Sequence, residues 1–191
     1  TEDVSTTEEV TEMLFTTTND HEEFRAQVRG FAEAKIKPIA FMLDKENKFP
    51  DEEVAEMGKL GWLGIPYPKE YGGMGLDYID YAIAVEELAR VDGGAGVILS
   101  AHVSLGSYPI FAYGTEEQKK KYLTPLASGK KLAAFGLTEP NAGSDAGETE
   151  TTAVFDGQNW ILNGNKIFIT NAGKADTYVV FAVTEPGKGT K

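Results

Sequence analysis

The 191-residue chain contains no cysteine, only two histidines, and 18 basic residues against 30 acidic ones. The first absence excludes disulfides, zinc–thiolate centres and cysteine nucleophiles. It is compatible with a reducing compartment, so a cytoplasmic location is expected. His21 and His102 lie far apart in the sequence and give no readable metal site. The net charge of −12 repels phosphate backbones, and nucleic acid is not an expected partner. A smaller anionic ligand stays possible, because backbone N–H groups hold phosphates without a basic field. The longest apolar run, Val97 to Leu105, is interrupted by Ser100, His102 and Ser104, so no bilayer-spanning segment and no membrane partner are expected. There is no GxGxxG, no P-loop and no internal repeat.

What is present is an ordinary globular composition, 41% hydrophobic and 25% charged. Residues 1–12 form an acidic leader without a basic residue, disordered or foreign to the fold, with Met13 as a natural start. Residues 13–130 carry helical periodicity. Asp20 and Glu23 have capping-box spacing, Phe24, Val28, Phe31 and Ala32 follow on one face, and Lys37-Pro38 should end the run. A second helix should open at Asp51-Glu52-Glu53 and stop near Gly61. A third should run from Asp77 to Val91, broken by Gly93-Gly94. A fourth, from Ala95 to Tyr113, is apolar on most sides and so should be buried. A fifth should start at Thr115, boxed by Gln118, and end at Ser128-Gly129.

From residue 131 the pattern reads as strands: Leu132–Leu137, Glu150–Phe155, Trp160–Leu162, Ile167–Thr170 and Thr177–Val183. Hairpin turns are expected at Asp156-Gly157 and Asn163-Gly164. The predicted class is α+β: an N-terminal all-α helical bundle, then residues 131–191 as the first part of an antiparallel β-barrel domain, left incomplete.

The segment from Phe135 to Gly147 leaves a predicted strand and turns through glycines, carrying the hydroxyls of Thr138 and Ser144 and the acids Glu139 and Asp145. Such a loop can bring its N–H groups close to an anion, or it can simply join two strands. Gly136-Leu137-Thr138-Glu139, with Ala142-Gly143-Ser144-Asp145, resembles the flavin-binding signature of the acyl-CoA dehydrogenase family. Lys69 to Gly75, Ser104 to Gly106, Tyr113 to Leu123 and Leu162 to Asn171 resemble further motifs of that family, in its order. The nearest likeness is to bacterial short-chain (butyryl-CoA) dehydrogenases. One departure is Glu148, where the family signature usually has a small residue.

The resemblance implies FAD as cofactor, an acyl-CoA substrate, electron-transferring flavoprotein as electron acceptor, and a homotetramer. It implies that Phe135, Leu137 and Thr138 line the flavin ring, with Thr138 at the pyrimidine end. Gly143 belongs to the cofactor loop, Ser144 to the pyrophosphate and the CoA portion of the substrate. Phe168 takes the place of a ring-stacking Trp, Ile169 follows it, and Thr170 approaches the reactive edge. The alternative for Phe135 and Phe168 is a role as core aromatics only. The family's catalytic base is a glutamate expected beyond Lys191, so the segment alone should be inactive. Acyl-chain length in the family is set partly by the helix around Ser100 to Leu105; the small Ser100 and Ala101 do not fix the pocket depth there, and a short-chain substrate is expected. Competing readings are a non-catalytic flavin- and acyl-CoA-binding subunit completed by a partner chain, and an acyl-CoA oxidase or flavin monooxygenase on the same fold. Of the remaining polar residues, His102 reads as a satisfied core histidine or as a wall of the acyl pocket. His21 reads as a surface residue, and Glu52-Glu53 and Glu86-Glu87 as solvent faces.

Overall fold

The computed structural model describes residues 16–187; the expected leader, residues 1–12, lies outside them. The helical part opens with α1 (Asn19–Phe31), which continues through a π turn (Ala32–Ile36) into α2 (Lys37–Glu46). Then come α3 (Asp51–Lys59) and α4 (Tyr78–Ala89). Next, α5 (Gly93–Ser100) runs through a π turn (Ala101–Ser107) into α6 (Tyr108–Tyr113). Finally α7 (Glu116–Gln118) runs through a π turn (Lys119–Leu123) into α8 (Thr124–Ala127).

The expected helix end at Pro38 is not observed. A proline lacks the N–H for its own turn, and its ring crowds the carbonyl four residues back. This chain absorbs that defect the same way three times. The residue before each proline donates five residues back instead of four: Lys37 to the Ala32 carbonyl, Tyr108 to Val103, and Thr124 to Lys119. The wider turn makes room for the rings of Pro38, Pro109 and Pro125, so each helix passes its proline unbroken. Gly93-Gly94 likewise does not merely break the third helix. It opens the next one, capped by Asp92, whose Oδ1 accepts the Gly94 N–H at 2.9 Å. The first cap also sits elsewhere than expected. Thr18 and His21 form the box, not Asp20 and Glu23.

One core holds the helices together. Trp62 lies edge-on to Phe31 at 5.1 Å and to Phe24 at 6.3 Å. Val28, Ile36, Met57, Leu63, Ile83, Leu88 and Leu99 close around them. Each such side chain contributes about 1.5–3 kcal/mol by leaving water. At the base of the core Gly58 and Gly129 touch backbone to backbone; Gly129 also needs a positive φ of 71°. The run Gly93–Tyr113, at 21 residues, meets the length and composition for crossing a bilayer, against the reading of the sequence. Half of its most apolar window is buried, and Ile98, Leu99 and Val103 belong to the core, as in the central helix of a globular bundle.

Four strands follow: β1 (Ala133–Gly136), β2 (Thr152–Phe155), β3 (Trp160–Asn163) and β4 (Thr177–Val180). β2 and β3 form the expected hairpin through Asp156-Gly157. Its turn is set by the Asp156 carboxylate, which accepts the N–H groups of Gln158 (2.8 Å) and Asn159 (2.7 Å). β1 and β4 pair in parallel, Ala133 opposite Thr177 through Gly136 opposite Val180, where an antiparallel arrangement was expected. No closed barrel forms among the described residues. The expected strand Ile167–Thr170 and the hairpin at Asn163-Gly164 are absent. Phe168 and Asn171 both take left-handed backbone, φ 55° and 67°, which no strand tolerates.

Candidate functional site

β1 ends at Gly136 and delivers Leu137 and Thr138 into a loop that is pinned from inside. The Glu139 carboxylate, 3% exposed, accepts the N–H groups of Glu150 (2.7 Å) and Thr151 (3.0 Å) and meets Lys166 Nζ at 2.5 Å. Burial raises its pKa. The ammonium of Lys166 and the backbone donors outweigh that and leave it lowered to about 2. A backbone bridge between Glu139 and Ala142 closes the same turn. Glu139 was read only as an acid of the signature; it is the anchor of the loop.

The second segment is bound to the first. Lys166 Nζ also donates to the Leu137 carbonyl (2.9 Å), and the Ile167 N–H donates to the Thr138 carbonyl (2.9 Å). The structure thus brings Phe135, Leu137 and Thr138 beside the turn that carries Phe168, Ile169 and Thr170. Phe135 is half-buried, its ring 5.2 Å from that of Phe181. Phe168 is 88% exposed, so it is not a core aromatic among the described residues. A large side chain on left-handed backbone, pointing out, is a combination that packing does not explain and that binding sites often hold. Gly143 and Ser144 lie farther out on the loop, exposed and without a hydrogen bond to the other members. The departure at Glu148 falls on a short exposed turn, held by Asp145 Oδ1 accepting the Gly147 N–H at 3.1 Å.

The side-chain hydroxyls of Thr138, Ser144 and Thr170 make no hydrogen bond among the described residues, so all three are free to donate and accept. Together with an exposed aromatic face and a pinned, glycine-containing loop, they are groups of the kind that a planar heterocycle attached to a phosphate-bearing arm would need.

The chain belongs to the acyl-CoA dehydrogenase family. The family model "Acyl-CoA dehydrogenase, N-terminal domain" matches residues 18–130, and "Acyl-CoA dehydrogenase, middle domain" matches residues 134–191. The short-chain specific acyl-CoA dehydrogenase of Clostridium acetobutylicum is 56% identical over 179 residues, 94% of this chain and 47% of that protein. Butyryl-CoA dehydrogenase from Megasphaera elsdenii superposes with a TM-score of 0.87 at 45% identity, covering 92% of this chain and 47% of that one. An acyl-CoA dehydrogenase from Bacillus anthracis, solved complexed with FAD, superposes with a TM-score of 0.81 at 40% identity, covering 87% and 29%. The chain therefore spans about half the length, or less, of the relatives it matches.

Other polar residues have structural tasks. His102 is fully buried; its Nδ1 accepts the Ala133 N–H at 3.0 Å. Its pKa is lowered to about 4 by burial, so it is neutral. Its Nε2 is buried without a hydrogen-bond partner among the described residues. His21, expected at the surface, is buried. Its Nδ1 accepts the Thr18 N–H (3.1 Å), so the ring proton sits on Nε2 and is given to Asp77 Oδ2 at 3.0 Å. His21, Asp77 and Asp80 stand within 4.8 Å of one another, a spacing open to a cation. Both aspartates are engaged in capping α4, which accounts for their position. Glu87, expected on a solvent face, is 1% exposed and surrounded by Arg25, Arg29 and Arg90. Apart from Thr18 and Arg90, which flank the same helices as His21 and Glu87, the partners are distant in sequence and leave no local trace.

Proposed function

We propose that this chain is the helical domain and the beginning of the β domain of an FAD-dependent acyl-CoA dehydrogenase acting on short-chain acyl-CoA thioesters. The observation that carries the reading is the pairing of the Phe135–Thr138 segment with the Phe168–Thr170 turn, three unpaired hydroxyls and one outward aromatic face on a rigid frame. In this reading Thr138 and the half-buried Phe135 and Leu137 hold the flavin ring, and Phe168 stacks against it with Ile169 alongside. Thr170 stands at the reactive edge, and Gly143 and Ser144 hold the pyrophosphate, with Ser144 also reaching the CoA portion of the substrate.

The chemistry that FAD would supply when bound is hydride acceptance from the β-carbon, with the α-proton going to a base and a 2-enoyl thioester as product. That base is a glutamate outside these 191 residues. What these residues contribute is orientation: a fixed ring plane, and water kept from one face of it by Phe168. The short-chain preference follows the likeness to short-chain relatives, since the small Ser100 and Ala101 do not by themselves set the depth of an acyl pocket. Electron-transferring flavoprotein takes the electrons and the assembly is a homotetramer, both following the family resemblance; the cytoplasmic location rests only on the cysteine-free composition.

The test is anaerobic titration of the FAD-loaded full-length protein with butyryl-CoA and octanoyl-CoA. The expected result is bleaching of the visible flavin band, with the higher specificity constant for butyryl-CoA. A protein that retains no FAD, or whose flavin stays oxidised with every acyl-CoA, refutes the reading. Rapid oxygen uptake on adding acyl-CoA would assign it to the oxidases instead.

A further inference from the structure

Asn171 has no role in the reading above, yet it is buried, and its left-handed backbone (φ 67°) is a conformation that asparagine adopts more readily than most residues. Its Nδ2 donates to two carbonyls at once: Ala133 in β1 (3.0 Å) and Ile98 in α5 (3.3 Å). Because both neighbours are acceptors, the amide can only stand with its NH2 end toward them. Its Oδ1 is left buried without a partner among the described residues, a cost that an apolar side chain would avoid.

The same strand residue is held a second time. The Ala133 N–H is taken by His102 Nδ1. In a strand, one residue's N–H and C=O point to the same side, where a neighbouring strand would pair. At Ala133 that side is occupied by two side chains instead. The π turn that carries His102 presses against this point closely enough that a methyl group on Gly106 would collide with the Ala133 side chain. Asn171 begins one residue after Thr170. Lys166 and Ile167 hold the turn at its start; the Asn171 amide holds its other end, against β1 two residues before Phe135 and against the central helix.

We infer that Asn171 is a positioning residue: through Ala133 and Ile98 it sets the turn carrying Phe168 and Thr170 relative to the strand carrying Phe135 and the Leu137–Thr138 loop. The inference rests on the FAD reading, since those two segments are the proposed walls of the flavin site. It predicts that losing the amide loosens one wall relative to the other while the helical core stays folded.

The test compares the FAD-loaded full-length wild type with Asn171→Gly, which keeps the left-handed backbone and deletes the amide. Ile83→Val, a core change in α4 away from the turn, serves as a control for simple destabilisation. The readouts are the FAD dissociation constant and the visible flavin spectrum at saturating FAD. For Asn171→Gly the constant should rise about tenfold, the loss of two neutral hydrogen bonds, and the spectrum should shift toward that of free flavin. Ile83→Val should lower the melting temperature and leave both readouts unchanged. Wild-type affinity and spectrum in Asn171→Gly would overturn the inference, and so would equal effects in Ile83→Val. If Asn171→Gly does not fold, Asn171→Ser, which removes the two NH2 hydrogen bonds without adding a buried charge, decides by the same two readouts. A wild type that binds no FAD would instead strike the functional reading itself.

Discussion

Replacing Glu87 by Gln should destabilise the protein by about 2–3 kcal/mol at neutral pH, and the effect should fade in acid. The Glu87 carboxylate is 1% exposed and ringed by three guanidinium groups. Arg29 binds both oxygens (Nη2 to Oε1 2.7 Å, Nε to Oε2 2.8 Å), Arg25 reaches Oε1 at 3.1 Å, and Arg90 reaches Oε2 at 3.3 Å. Hydrogen bonding to Arg29 is the largest influence on its pKa. Burial opposes it, and the value falls from the ordinary 4.5 to about 2. A shift of that size corresponds to about 3 kcal/mol of linked stability. Breaking a fully buried pair typically costs 3–5 kcal/mol. Here Arg29 and Arg90 are half-exposed and can return to water, which places the cost at the lower end.

The sign follows from the depressed pKa. The stabilisation is present above the unfolded value near 4.5 and is lost as pH falls toward 2. Urea unfolding of wild type and Glu87→Gln at a series of pH values, followed through the buried Trp62, measures the difference. Glu139 titrates in both proteins and cancels. A difference below about 0.5 kcal/mol at neutral pH, the level of an unremarkable surface change, would refute the argument. So would a difference that stays constant between pH 5 and 2.

Lys166→Met should leave the Glu139 carboxylate buried without its cation. FAD affinity should drop, and carboxyl titration followed by NMR should show the Glu139 pKa moving up from about 2. Gly129→Ala should lower stability by more than about 1 kcal/mol, because φ is 71° and the Gly58 backbone leaves no room for a methyl group; a denaturation midpoint within error of wild type would contradict this. Phe168→Ala should change the apoprotein melting temperature by less than 1–2 °C, since the ring is 88% exposed, while weakening FAD binding; unchanged FAD affinity would remove Phe168 from the site.

Local chemistry was legible where partners are neighbours in sequence. The Thr115–Gln118 box, the acidic start of α3 and the Asp156-Gly157 hairpin appear as read. The helix end expected at Pro38 failed because the rule assumes a four-residue turn, and the chain shifts to five. The same shift recurs at Pro109 and Pro125, which suits helices whose packed faces need continuity beyond the proline. The parallel pairing of β1 with β4 was not legible either. It brings together residues 44 apart, Leu132 and Asp176, where the Leu132 N–H meets the Asp176 carboxylate at 3.0 Å. Nothing in either strand's alternation states the direction of its neighbour.

The site divides along the same line. The groups facing outward, Phe168, Thr170, Ser144 and the Thr138 hydroxyl, were named only because their motif resembles a family signature, and residue chemistry alone left a plain loop equally open. The groups holding them in place lie inside the same motifs, but neither route shows their anchoring role. Glu139 and Lys166 are 27 residues apart, and Asn171 and Ala133 are 38. At such separations a Glu, a Lys and an Asn read as surface residues, and only the folded chain turns them into buried, partnered groups. Such groups can leave the outward residues chemically unchanged while deciding where they stand, and catalysis by orientation is sensitive to displacements of about 1 Å. It follows that substitutions at Glu139, Lys166 and Asn171 should disturb the proposed flavin site more than substitutions at the exposed Gly143–Glu148 stretch, although that stretch carries more of the recognisable motif.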